Sequence, residues 1–180
     1  VYRTLMKMRW QPSLQIIPHY ESEPLYIQAI VNSINHKLNN INWRPDLILA
    51  SYHGIPKKYF DEGDPYHCYC HKTSRLIKET FNKDIPILTT FQSRFGPQEW
   101  LQPYTDKTLE KLPKEGKKNV LVISPGFSSD CVETLEEISI QGKESFLEAG
   151  GEKFDTIPCL NDNEDHIKLL LHLINKSIRK

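Results

Sequence analysis

Short apolar runs alternate with stretches of helical period along almost the whole chain. Leu47-Ile48-Leu49-Ala50 and Val120-Leu121-Val122-Ile123 are continuous apolar runs of strand length, as expected for strands buried on both faces of a parallel sheet. Between such runs Ile27, Ile30, Val31, Ile34 and Leu38 recur at helical spacing, and Leu76, Ile77 and Phe81 mark a second inner face. The pattern predicts strands at Leu14–Ile17, Asp46–Ala50, Ile85–Phe91, Asn119–Ile123 and Phe154–Cys159. It predicts helices over Pro24–Leu38, Asp64–Phe81, Thr105–Leu112, from Asp130 to the Gly150-Gly151 stop, and over Asn163–Ile178. Pro65 suits a first helical turn, and Pro86 belongs near the start of its strand. No repeat, low-complexity tract or linker breaks the alternation. The economical reading is one α/β domain over residues 1–180, with a mostly parallel sheet flanked by helices.

Composition narrows the class. The 180 residues are 38% apolar and 26% charged, ordinary for a globular chain, and long enough to bury a full core. Lys+Arg and Asp+Glu number 23 each, a balance that argues against a dedicated nucleic-acid binder. No apolar run approaches the length of a membrane span, and the first residues lack the apolar centre of a signal peptide. Four cysteines without such a signal point to a reducing cytoplasm. Without an initiator Met, the chain reads as part of a longer one.

Candidate chemistry gathers where apolar runs end. Ser51-Tyr52-His53-Gly54-Ile55-Pro56, followed by Gly63-Asp64-Pro65-Tyr66, sets an imidazole in a Gly/Pro-shaped loop after the second strand. In open α/β sheets that carboxyl edge is where ligands bind. His53 is either a surface histidine or a ligand and proton acceptor. A second edge follows Ile123: Ser124-Pro125-Gly126-Phe127, then Asp130, Glu133, Glu136 and Glu137. Asp130, Glu133 and Glu137 are spaced i, i+3, i+7 and would line one face of a helix. Carboxylates so placed repel unless they bind a cation or share a proton; the alternative is a solvated face with Asp130 as N-cap and Glu133 as its partner. Nitrogen and oxygen donors together suit a divalent first-row metal.

Two other stretches stay open on residue type alone. Gln92-Ser93-Arg94-Phe95-Gly96-Pro97, with Trp100-Leu101 beyond, offers Arg94 to a carboxylate and Phe95 or Trp100 to an apolar ring, or simply packs a long loop. His67-Cys68-Tyr69-Cys70-His71 invites a zinc reading, but a C-x-C pair within a helix points its thiols apart. Cys131 and Cys159 could complete four thiolates for zinc or a [2Fe–2S] cluster; small, partly buried cysteines are the plainer reading.

Taken together, these motifs resemble ferrochelatase. The resemblance rests on Ser51-Tyr52-His53-Gly54-Ile55-Pro56, Gly63-Asp64-Pro65-Tyr66, Gln92-Ser93-Arg94-Phe95-Gly96, Trp100-Leu101-Gln102-Pro103-Tyr104-Thr105-Asp106 and Gly126 through Glu137, in the family's order. It implies a Rossmann-like, chelatase-like fold and matches the carboxyl-terminal portion of a bacterial-type enzyme, whose amino-terminal lobe forms the other wall of a porphyrin cleft. It implies Fe(II) as substrate, a porphyrin (protoporphyrin IX or coproporphyrin III) as its acceptor, and no obligatory organic cofactor. His53 matches the family's metal-site histidine and Glu133 its acidic partner; Asp130, Glu136 and Glu137 fall on the helix of further acidic residues, a path for protons or metal. Phe127, Arg94, Phe95 and Tyr52 are the porphyrin-contact candidates. Cys131 stands where some members carry a second histidine. The end at Arg179-Lys180 lacks the cysteine-bearing extension of animal enzymes, which disfavours a [2Fe–2S] cluster. The expected place is the cytoplasm, with peripheral contact at the inner membrane left open. The competing readings are a chelatase for another metal or tetrapyrrole, and a metal- or haem-binding module without turnover.

Overall fold

The computed structural model describes residues 1–178; Arg179 and Lys180, the chain end noted above, lie outside the described residues. Its centre is a sheet of four parallel strands, β1 (Leu47–His53), β2 (Ile87–Gln92), β3 (Asn119–Ile123) and β4 (Lys153–Ile157). They lie in the order β2-β1-β3-β4. Parallel neighbours require crossovers, and the helices provide them. After α1 (Tyr2–Leu5) come α2 (Pro24–Asn40), α3 (Lys57–Asp61), α4 (Tyr66–Phe81), α5 (Thr105–Lys111) with a 3-10 turn (Leu112–Glu115), a π-helix (Glu133–Gly142), α6 (Lys143–Glu148) and α7 (Glu164–Ile178).

The central strands follow from their composition. The first six residues of β1 are buried, as are the last four of β3, which only a strand covered on both faces sustains. Alternation then divides the core. Ile48, Ala50 and Tyr52 meet α2, α4 and α7 through Ile30, Ile34, Ile77 and Leu169. Leu47 and Leu49 point the other way, to Leu109, Ile138 and Phe146 from α5, the π-helix and α6. Gly151 is tied to this second face: a Cβ there would sit 2.2 Å from the Phe146 ring.

Three expectations need correction. Leu14–Ile17 is not a strand, and Leu14, Ile16 and Ile17 are exposed. A strand exists only when a neighbour takes its backbone bonds, and no strand of this sheet reaches that stretch. The helix after Asp130 is not one α-helix but the ten-residue π-helix followed by α6. Asp130 caps neither; Val132 precedes the π-helix and makes no side-chain cap. Smaller shifts concern ends: Asp46 stays outside β1, accepting bonds from the Lys118 and Asn119 amides at 2.9 Å, and Asp64 precedes α4, its Oδ1 accepting from the Tyr66 amide.

The strand order reverses between β1 and β3, so the loops after these two strands diverge and leave a crevice at their carboxyl ends. His53 closes β1, and the loop through Phe127 follows β3.

Candidate active site

At the end of β1, His53 is half-buried between the Trp100 and Phe127 rings, whose centres lie 6.4 and 6.3 Å from its own. Its Nδ1 is 2.6 Å from the Gly54 carbonyl oxygen. A carbonyl only accepts, so Nδ1 carries the hydrogen and Nε2 of the neutral ring keeps its lone pair. The peptide is held as firmly: Tyr66 Oη donates to the His53 carbonyl at 2.9 Å, and the Gly54 amide donates to Gln92 O at 2.8 Å. Gly54 itself is required by space. A Cβ there would approach Gln92 O to 3.0 Å and the Trp100 ring to 3.1 Å.

Glu133 opens the π-helix. A hydrogen bond from the Cys131 thiol, then its own backbone N–H, hold its carboxyl below the ordinary range against a small burial cost, and His53 adds to the effect. His53 ends β1 and Glu133 follows β3, parallel neighbours of one sheet whose carboxyl ends share a rim. Burial, with the bond to Glu133, pushes the Cys131 thiol up, so it stays protonated and donates.

Gln92, the last residue of β2, ties the two sides together. Its Oε1 accepts from Ser51 Oγ at 2.8 Å, and its Nε2 donates to the Glu133 carbonyl at 2.8 Å. Next to it, Ser93 adopts a left-handed backbone, φ 63°, which costs free energy in a residue with a Cβ. Glu137 offsets that strain: its two oxygens accept from Ser93 N and Ser93 Oγ, each at 2.6 Å. A cavity of about 380 Å³ opens beside Glu137, lined also by Gln92, Arg94, Asp106 and Gln141.

Not every candidate joins this group. The i→i+5 bonding of a π-helix widens the turn beyond the 3.6 residues of an α-helix, so Glu133 and Glu137, four apart, share a side. Asp130 lies before the helix and turns away, accepting from Asn161 Nδ2 at 2.8 Å, Thr134 Oγ1 at 3.0 Å and the Cys159 amide at 3.2 Å. Burial works against its charge, but these bonds outweigh it and hold the carboxyl below its usual range. Glu136 is exposed and, among the described residues, accepts a side-chain bond only from Gln141, at 3.3 Å. Tyr52 is 2% exposed, bonds Ser74 at 3.0 Å, and lies on the face of β1 opposite His53. It lines a separate tyrosine-rich cavity of about 240 Å³ with Tyr26, Tyr66 and Phe127. Arg94 pairs with Asp106 at 2.7 Å and stacks over Tyr104, while Phe95 is 76% exposed beside Trp100.

The sequence reading missed the parts of Gln92 and Ser93. The available signal was a polar residue closing an otherwise buried strand, since a buried amide must find partners. Cys68 is exposed on α4 and Cys70 packs into the core, so their side chains diverge; Cys131 and Cys159 lie near Asp130.

The family model for ferrochelatase matches residues 1–178. The chain belongs to the ferrochelatase family. It is 54% identical over 179 residues to a ferrochelatase of Allorhizobium ampelinum, covering 99% of this chain and 52% of that protein. A ferrochelatase of Rhizobium meliloti is 54% identical over 178 residues, covering 98% and 52%, and one of Agrobacterium fabrum 48% over 179, covering 99% and 52%. The chain thus spans about half the length of the curated ferrochelatases it matches. The parallel sheet with helices on both faces agrees with the α/β fold expected from the resemblance.

Proposed function

We propose that the full protein carrying this chain is a haem-synthesis ferrochelatase, a lyase-class enzyme that inserts Fe(II) into protoporphyrin IX or coproporphyrin III. The neutral ring loses two pyrrole protons, the ion loses its water, and iron stays Fe(II). Such a step needs one group that accepts a proton and one that replaces water on the metal. The observation that carries the reading is at the rim: His53 ends β1 with Nδ1 on the Gly54 carbonyl and Nε2 unprotonated, and Glu133 opens the π-helix with its backbone tied to Gln92 at the end of β2. Either residue serves either role. Phe127, flanking His53 and half-buried, supplies flat apolar contact to the ring, with the buried Trp100 behind His53, and Arg94 and Phe95 lie farther out on the loop. Glu137 steadies the turn at Ser93, and Glu136 and Asp130 stand at the margins of a path for protons or metal.

In this reading an amino-terminal lobe supplies the facing wall of the cleft, and this half alone is inactive. The protein works in the cytoplasm; no helix among the described residues is long and apolar enough to cross a membrane. The test is iron insertion and porphyrin fluorescence quenching in the full-length protein. His53→Ala and Glu133→Gln each lower insertion by at least about 10²-fold. Porphyrin affinity changes little, because it comes from apolar area at about 25 cal/mol per Å². Near-normal insertion by His53→Ala would sink the assignment.

A further inference from the structure

The α4 helix carries two imidazoles that the rim chemistry leaves unused. His67 and His71 lie four residues apart, with ring centres 4.4 Å apart and planes 49° to one another. Two imidazole nitrogens bound about 2 Å from one ion, at right angles, would set the ring centres about 4.5 Å apart. The spacing is that of the two histidines in helix-borne zinc motifs.

The surroundings favour the pair staying in place. Phe60 packs on His67 with centres 4.8 Å apart. The buried Phe91 ring stacks on His67 with centres 5.7 Å apart and lies tilted to His71 with centres 6.2 Å apart. Walls of this kind restrict the rotamers that binding would otherwise have to freeze. His71 is exposed and His67 half-buried, so solvent reaches the open side of the pair. Phe91 neighbours Tyr52 on the α4 face of the sheet, while His53 points to the other face. The pair is therefore separate from the rim.

We propose that His67 and His71 form a surface site for a divalent first-row cation that prefers imidazole, of the nickel, copper and zinc class, with water completing its shell. Among the described residues no group of three or more His, Cys, Asp or Glu is placed to hold a metal. With two protein ligands, the ion is held more loosely than in a four-ligand structural zinc site and exchanges.

The test is calorimetric titration of untagged full-length protein with nickel chloride in a His53→Ala background, which removes the rim histidine from the reading. One Ni(II) equivalent binds. His71→Gln and His67→Gln each weaken that binding at least tenfold, with the circular dichroism spectrum unchanged. His71 is on the surface, so its variant folds even if His67→Gln perturbs packing against Phe91. Absence of nickel binding in the His53→Ala protein, or binding within threefold of it in His71→Gln, overturns the site. Neither outcome bears on iron insertion, which is read separately.

Discussion

The two faces of the sheet are built on different terms. Under α2, α4 and α7 the apolar core runs to the end of β1, taking in Ile48, Ala50, Tyr52 and Phe91. Under α5 and the π-helix the core of Leu47, Leu49, Val120, Val122 and Ile138 stops short of the carboxyl ends. There the side chains turn polar and form a chain of bonds: Thr105 Oγ1 to Thr90 at 2.9 Å, Ser51 with Thr105 at 2.8 Å, Ser51 to Gln92, and Gln92 to Glu133. Apolar contact is non-directional and holds a helix on a sheet without fixing small displacements. Hydrogen bonds fix both distance and direction. The first face supplies stability, and the second sets where Glu133 stands relative to His53.

The largest effect expected from this division is on stability. Ile48→Ala removes a fully buried side chain from the apolar face and should cost about 2–5 kcal/mol by urea denaturation. Insertion per folded molecule should stay near normal. A loss below about 1 kcal/mol would show that this face does not carry the fold.

Gln92→Leu should reverse the ranking. It deletes the donor to the Glu133 carbonyl and should cost only about 1–2 kcal/mol of stability. Iron insertion should nevertheless fall about tenfold, equivalent to about 1.4 kcal/mol, while porphyrin quenching is kept. Equal losses of stability and activity in both variants would erase the distinction between the faces.

The smallest effect tests the polar fringe of the apolar face. Glu21 accepts from His19 at 2.6 Å and Lys72 at 3.0 Å, and its carbonyl accepts from Thr73 on α4 at 2.8 Å. Burial opposes the charge, but the bonds from His19 and Lys72, with the Glu21 backbone N–H and the Lys72 charge, outweigh it and bring the carboxyl from 4.5 down to about 2. A depressed folded value means the added stability is complete above the unfolded value and is lost as pH falls through the folded one. Glu21→Gln should therefore lower stability by about 1 kcal/mol or less at pH 7. The difference from wild type should shrink between pH 4.5 and about 2. A difference that persists unchanged below that window would assign the effect to packing.

The comparison also shows which features a linear reading can reach. β1, β3 and α2 were legible because their signals are local: continuous apolar runs and a helical period of buried residues. The strand expected at Leu14–Ile17 had the same kind of apolar signal, but its bonds depend on a partner that periodicity does not reveal. The spacing of Asp130, Glu133 and Glu137 assumed 3.6 residues per turn. The π-helix starts after Asp130 and keeps only the last two on one side.

The sequence by itself determined that His53 and the acidic segment would sit at the carboxyl ends of parallel strands, because strand runs and turn residues are written locally. It also carried the family, through motifs in a set order. Only the tertiary structure decided that Tyr52 turns into the core, that Asp130 braces Asn161 and Cys159, and that Gln92 links β2 to Glu133. Those outcomes depend on which groups from distant parts of the chain compete for each buried polar atom. That competition is settled only when the sheet and both helical layers have closed around it.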